Sequence, residues 1–152
     1  MADILVLLGS DKDKPHLERG LPYFERLQLS YDLQVSSAHR QPERTTRLAR
    51  EARSAGYKAV ICVAGMAAHL GGVVAAHTTL PVVGVPIGGS SLGGADALYS
   101  FVQMPAGVPV ATMAIGPAGF ANAVIFCAQM LAISDSAVQE RLESFKTEMA
   151  DG

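Results

Sequence analysis

Charge is nearly missing from the middle of this chain. Of its 12 Lys and Arg and 14 Asp and Glu residues, only Asp96 falls within 59–134. A membrane-spanning reading fails all the same, because Pro81, Pro86, Pro105, Pro109 and Pro117 cut the region into pieces, and a spanning helix needs about 20 unbroken apolar residues. The reading that fits is a soluble protein whose second half is buried twice, in its own core and against further copies of itself. Cysteine is scarce as well. Cys62 in an apolar strand and Cys127 in an apolar helix look like reduced core residues, which argues against a disulfide framework and fits a cytoplasmic location. A net charge of -2 gives no basic surface for nucleic acid. The four histidines include no i, i+4 pair and no accompanying Cys or acidic cluster, so no metal site is expected. No G-x-x-x-x-G-K loop and no G-x-S-x-G elbow occurs, which disfavours nucleotide-triphosphate hydrolysis and a serine nucleophile. The start of the chain runs straight into the apolar segment 4–8 without a basic region, so no secretory signal is expected.

What is present is an alternation of strands and helices, at a length that suits one domain. Strands are expected at 3–8, 31–36, 59–64, 81–85 and 108–114. Helices are expected at 14–27, capped by Asp13, then at 43–54, 66–77, 96–104 and 118–133, with a last one from 134 or 135. The pattern predicts an α/β fold with a five-stranded parallel sheet. In the last helix Val138, Leu142, Phe145 and Met149 make one apolar stripe, expected to pack on a neighbouring subunit.

Ligands of such folds bind beyond the carboxyl ends of the strands. The loops after the first three strands carry Ser10, Lys12 and Asp13, then Ser37, His39 and Arg40, then His69. Around 59–73 a buried strand feeds directly into a helix through Gly65, a junction that lets a ligand approach backbone and favours an anion. Arg40 and Ser37 suit a phosphate, and His39 suits proton transfer near neutrality. Asp13 is equally well read as a helix cap or as an acceptor for sugar hydroxyls, and His69 as a backbone-bonded or a ligand-facing ring. His16 and His77 are assigned to structure or solvent. The arginines at 44, 47, 50 and 53 read as a solvated helix face.

Six segments, GSDKD at 9–13, SAHRQP at 37–42, AGMAAHLGG at 64–72, LPVVGVP at 80–86, YSFVQMP at 99–105 and AIGPAGFANA at 114–123, together resemble the PurE family of purine biosynthesis. The resemblance implies a flavodoxin-like three-layer αβα sandwich with an extra C-terminal helix at about 135–150, assembled as a homo-octamer. It also implies conversion of N5-carboxyaminoimidazole ribonucleotide to 4-carboxy-5-aminoimidazole ribonucleotide, with CO2 as an intermediate and no cofactor. SAHR and AAHL resemble the mutase class; the alternative is the class that carboxylates aminoimidazole ribonucleotide with free CO2. Carried over by position, the ribonucleotide falls to Ser10, Lys12, Asp13, Ser37, Ala38 and Arg40. The carboxylate or CO2 pocket falls to Gly65, Ala67, Ala68 and Leu70, and proton transfer to His39 with His69 beside it. Three positions depart from the family pattern: Lys12 stands for Ser, Met66 for Gly and Gly71 for Pro. A non-catalytic nucleotide-binding module of the same fold is the reading from another class, and it requires no meeting of His39 with His69. A receiver-domain role is weaker, since no acidic cluster ends the first and third strands together.

Overall fold

The computed structural model describes all of residues 1–152. Five strands, β1 (Ile4–Leu8), β2 (Tyr31–Val35), β3 (Ala59–Gly65), β4 (Val82–Ile87) and β5 (Ala111–Thr112), form one parallel sheet in the order β2-β1-β3-β4-β5. The five side chains of β1 are all completely buried, as expected of a strand covered on both faces. Because side chains alternate along a strand, β1 and β3 feed two separate cores. Ile4, Val6, Leu8, Ala59, Ile61 and Val63 pack on one face with Phe24, Phe120, Val124 and Cys127. Leu5, Leu7, Val60, Cys62 and Ala64 pack on the other with Ala49, Leu70, Val74 and Phe101. The first face is covered by α1 (Leu21–Arg26), α5 (Pro117–Ala132) and α6 (Ser136–Ala150), the second by α2 (Pro42–Glu51), α3 (Leu70–His77) and α4 (Ala95–Val102). This is the expected flavodoxin-like three-layer sandwich. Burial pushes the thiols of Cys62 and Cys127 up, that of Cys127 to about 12, so both stay protonated core groups.

Several boundaries differ from the sequence reading, each for a physical reason. The helix expected at 14–27 is two pieces: a 3₁₀ helix, Asp11–Leu17, and then α1. The break falls at Gly20, where an added Cβ would collide with the Phe120 ring of α5, and Pro22 restarts the chain within the first turn of α1. Ser10 caps the 3₁₀ helix, its Oγ accepting from the Lys12 N–H at 3.3 Å, so the cap expected of Asp13 is supplied by its neighbour. The helix expected from 66 starts at Leu70. The fifth strand is only two residues long, since Pro109 has no N–H to offer a ladder. In α6, Val138, Leu142 and Phe145 belong to the core of the chain itself, with Phe145 edge-on to Tyr23 at 5.7 Å. Covering these three positions takes no second copy, and only Met149 of the stripe lies exposed.

Gly71, where the resemblance leads one to expect Pro, lies under the ring of Phe101: an added Cβ would stand 2.6 Å from its Cε1. The ring occupies the space a side chain at 71 would need. Gly71→Ala is expected to destabilise the chain by roughly 2 kcal/mol through overpacking. Gly71→Ala with Phe101→Leu should cost clearly less in urea unfolding than the two single changes added together, a non-additivity that two independent sites would not show.

Candidate active site

Sheet order reverses between β1 and β3, whose chains leave in opposite directions along the sheet. In register, Leu8 lies opposite Val63 and Val35, so the carboxyl ends of the three strands finish side by side and their loops open onto one cleft. Gly9 makes the junction tight. Its N–H donates to Val63 O at 2.9 Å, and an added Cβ would press on the Ala64 methyl at 3.2 Å.

The resulting cavity has a volume of about 680 Å³, within the range of small-molecule sites. Ser10, Lys12, Asp13, Ser37, Ala38, His39, Arg40, Gly65, Ala67, Ala68, His69 and Leu70 all line it. Every residue expected to bind or act on a ligand is therefore brought to one place. Two groups of wall residues were not anticipated. His16, assigned to structure or solvent, lines the cavity as well, and so do Ile87, Gly88 and Gly89 from the loop after β4. The signal for the latter was the glycine pair itself: nothing lies within 4 Å of a Cβ added at either position, which leaves their backbone open to a ligand.

The loop after β2 is pinned from below. Ser36 and Thr45, both fully buried, share a hydrogen bond of 2.7 Å, and the Ser36 N–H donates to Leu8 O at 2.9 Å. Above them the Arg40 N–H donates to Ser37 Oγ at 3.2 Å. The three ion pairs of the chain are Lys14–Asp11, Lys58–Asp3 and Arg26–Glu148, so Lys12 and Arg40 face the cavity as cations without a carboxylate partner. Asp13, the one carboxylate in the wall, has its pKa raised by desolvation, against which the Ser10 backbone and the charge of His16 pull downward.

The decisive contact joins two loops. His39 Nε2 and His69 Nδ1 are 2.8 Å apart, with the rings edge to face at 84° and 4.9 Å between centroids. One nitrogen of the two must donate and the other accept, so the pair shares a single proton along this bond. A nucleotide-binding module gives no reason for two imidazoles to meet in this way. His69 reaches its place through an irregular turn. Met66 has φ +56, in the left-handed region; the Ala68 N–H then bonds to Met66 O at 2.8 Å and the His69 N–H to Ala67 O at 2.9 Å. The side chains of Ala68 and Leu70 are buried in the second core while Met66, Ala67 and His69 are exposed. No group of three or more His, Cys, Asp or Glu side chains is arranged to hold a metal ion, and no helix is long and apolar enough to cross a membrane.

The sequence profile of the family described as AIR carboxylase matches residues 3–152. The chain belongs to that family. Among curated relatives, a protein of Haemophilus influenzae named N5-carboxyaminoimidazole ribonucleotide mutase is 47% identical over 95% of this chain and 88% of its own length. Proteins of the same name from Escherichia coli K12 and Pyrococcus abyssi are 42% and 41% identical, covering 99% and 98% of this chain and 89% and 84% of their own lengths. A crystal structure of Treponema denticola PurE superposes with a TM-score of 0.87 at 25% identity, over 97% of this chain and 91% of that one.

Left-handed backbone costs a residue with a side chain about 1–2 kcal/mol, partly offset in glycine by its looser unfolded chain. Met66→Gly is therefore expected to stabilise this AIR carboxylase family member by roughly 0.5–1 kcal/mol, read as a higher urea midpoint at unchanged slope.

Proposed function

We propose that the protein is an N5-carboxyaminoimidazole ribonucleotide mutase, an isomerase of purine biosynthesis that moves a carboxylate from the exocyclic nitrogen of its substrate to C4 of the ring. The observation that carries the reading is the His39–His69 hydrogen bond inside a cavity lined by unpaired cations. The mutase name borne by relatives over 40% identical sets aside the carboxylase that would use free CO2.

The substrate offers a dianionic phosphate, ribose hydroxyls and an anionic carbamate. Arg40, with Ser37 beside it, takes the phosphate, and Lys12 adds a second cation in place of the family's serine. Asp13 accepts from ribose hydroxyls, a role for which it must be ionised in spite of its desolvation. Ala38 and the segment Gly65–Leu70 close around the base and the carboxylate.

The chemistry balances with one proton. Breaking the N–CO2 bond leaves its electron pair on the exocyclic nitrogen, which takes a proton to become the amine. The electron-rich ring then attacks the retained CO2 through C4, and the sp3 carbon sheds its proton to recover aromaticity. His39 supplies the first proton and takes the second. His39 enters protonated on both ring nitrogens and gives its Nδ1 proton to the exocyclic nitrogen; with Nε2 still donating to His69, that Nδ1 is then the free base that takes the C4 proton. The imidazolium formed when that nitrogen is protonated keeps its bond to His69 Nδ1, which holds the charge in place. Retaining CO2 next to C4 replaces an encounter with dilute gas, a gain of the kind measured as effective molarity, and the small, apolar walls at Ala67 and Ala68 keep water from competing.

Assembly follows from the uncharged surface. Leu92, Tyr99, Val102 and Ile133 are large, apolar and exposed, all within the stretch 59–134 whose one charged residue is Asp96. A homo-octamer, with the outer side of α6 around Met149 reaching a neighbouring subunit, covers such a surface, and a cytoplasmic location suits both the substrate and the reduced thiols.

The test is to supply the carbamate ribonucleotide and to follow formation of the C4-carboxylated product with and without added bicarbonate. Turnover independent of bicarbonate is expected; a requirement for it would return the carboxylase reading. His39→Asn should lower kcat by at least about a thousandfold, within the range general acid–base residues contribute, with substrate affinity changed less than about threefold.

A further inference from the structure

A 3₁₀ helix of seven residues is long for its kind, since such helices commonly stop after three or four residues. Its geometry has a use at this site. With about 3.0 residues per turn, residues at i and i+3 eclipse one another, whereas in an α-helix they drift apart by about 60° at each step. On the outer side Lys14 Nζ lies 2.6 Å from Asp11 Oδ1, three residues apart. Asp13 and His16 are another such pair, and the cap Ser10 precedes them at the same spacing. All three are half-buried, and all three line the cavity. Ser10 is occupied as the cap and Asp13 is the candidate hydroxyl acceptor. The His16 ring has no hydrogen-bond partner within the chain, and it lies close enough to Asp13 to act on its carboxylate.

Resting on the ribonucleotide reading of the same cavity, we infer that His16 is a further substrate-binding residue, the third rung of a Ser10–Asp13–His16 row that grips the hydroxyl edge of the sugar. At roughly 2 Å of rise per residue the three rungs span about 12 Å, long enough to follow a sugar from one side to the other. Asp13 only accepts when ionised, and a neutral imidazole offers one donor and one acceptor. The two together match a pair of neighbouring hydroxyls, each able to donate and to accept, better than a carboxylate alone. A leucine in that place fills the volume and offers neither function.

The experiment compares wild type with His16→Leu by competitive inhibition of turnover. The inhibitors are ribose 5-phosphate, which carries the sugar, and methyl phosphate, which carries only the charged group. Loss of the contact is expected to weaken ribose 5-phosphate about tenfold, the scale of one hydrogen bond, and to leave methyl phosphate within twofold. The substrate KM should rise by a similar factor with kcat unchanged within twofold, because His16 is assigned a binding contact and carries no proton in the reaction. His16→Gln, which keeps a donor and an acceptor, should recover most of the loss and serves as the second variant if leucine lowers solubility. Equal weakening of both inhibitors, no change in either, or a fall in kcat matched to the KM change would overturn the assignment. Should wild type turn over the carbamate ribonucleotide and His16→Leu behave like it, the inference fails while the mutase reading stands. A wild type without turnover removes both.

Discussion

Everything at this site follows from two buried strands ending together. β1 and β3 are neighbours in register, with Leu8 opposite Val63, and both are sealed on each face by separate cores. Strands so placed cannot slide, since a shift of one residue would turn every core side chain to the opposite face. Their loops must therefore open at the same level, and the loops after β2 and β4 arrive beside them. A bond as short-ranged as that between His39 and His69 needs this constraint, because neither ring is fixed by its own loop alone.

The architecture was legible from the sequence because its causes are local. Apolar runs rich in β-branched residues marked the strands, and the charged helix at α2 stood out between Pro42 and Gly56. The convergence of the three loops was legible too, since parallel topology dictates it. What escaped the sequence was long-range. The division of the first helix depends on Gly20 meeting Phe120, a hundred residues away in the chain. Without that contact the stretch 14–27 reads as one amphipathic helix, and in such a helix His16 turns away from the row begun by Ser10. The late start of α3 was hidden for a different reason. Nothing in the composition of 66–69 forbids a helix, and only the left-handed backbone of Met66 shows that the chain turns there first.

Site and stability pull in different directions at two positions. Asp13 is a carboxylate held where desolvation disfavours its charge, and Met66 occupies a backbone region better suited to glycine. Both stand in the cavity wall, where such tension is commonly stored. Outside the cavity wall the same backbone cost recurs at Gln28, φ +51, where the chain leaves α1, while the buried side-chain polar atoms all have hydrogen-bond partners.

The interlocking of Gly71 with the Phe101 ring also bears on which changes this chain can accept. A ring that fills the space above a bare backbone bars the way: position 71 can take a side chain only once position 101 is smaller. The two positions therefore accept change in one order only, the ring first and the backbone position second.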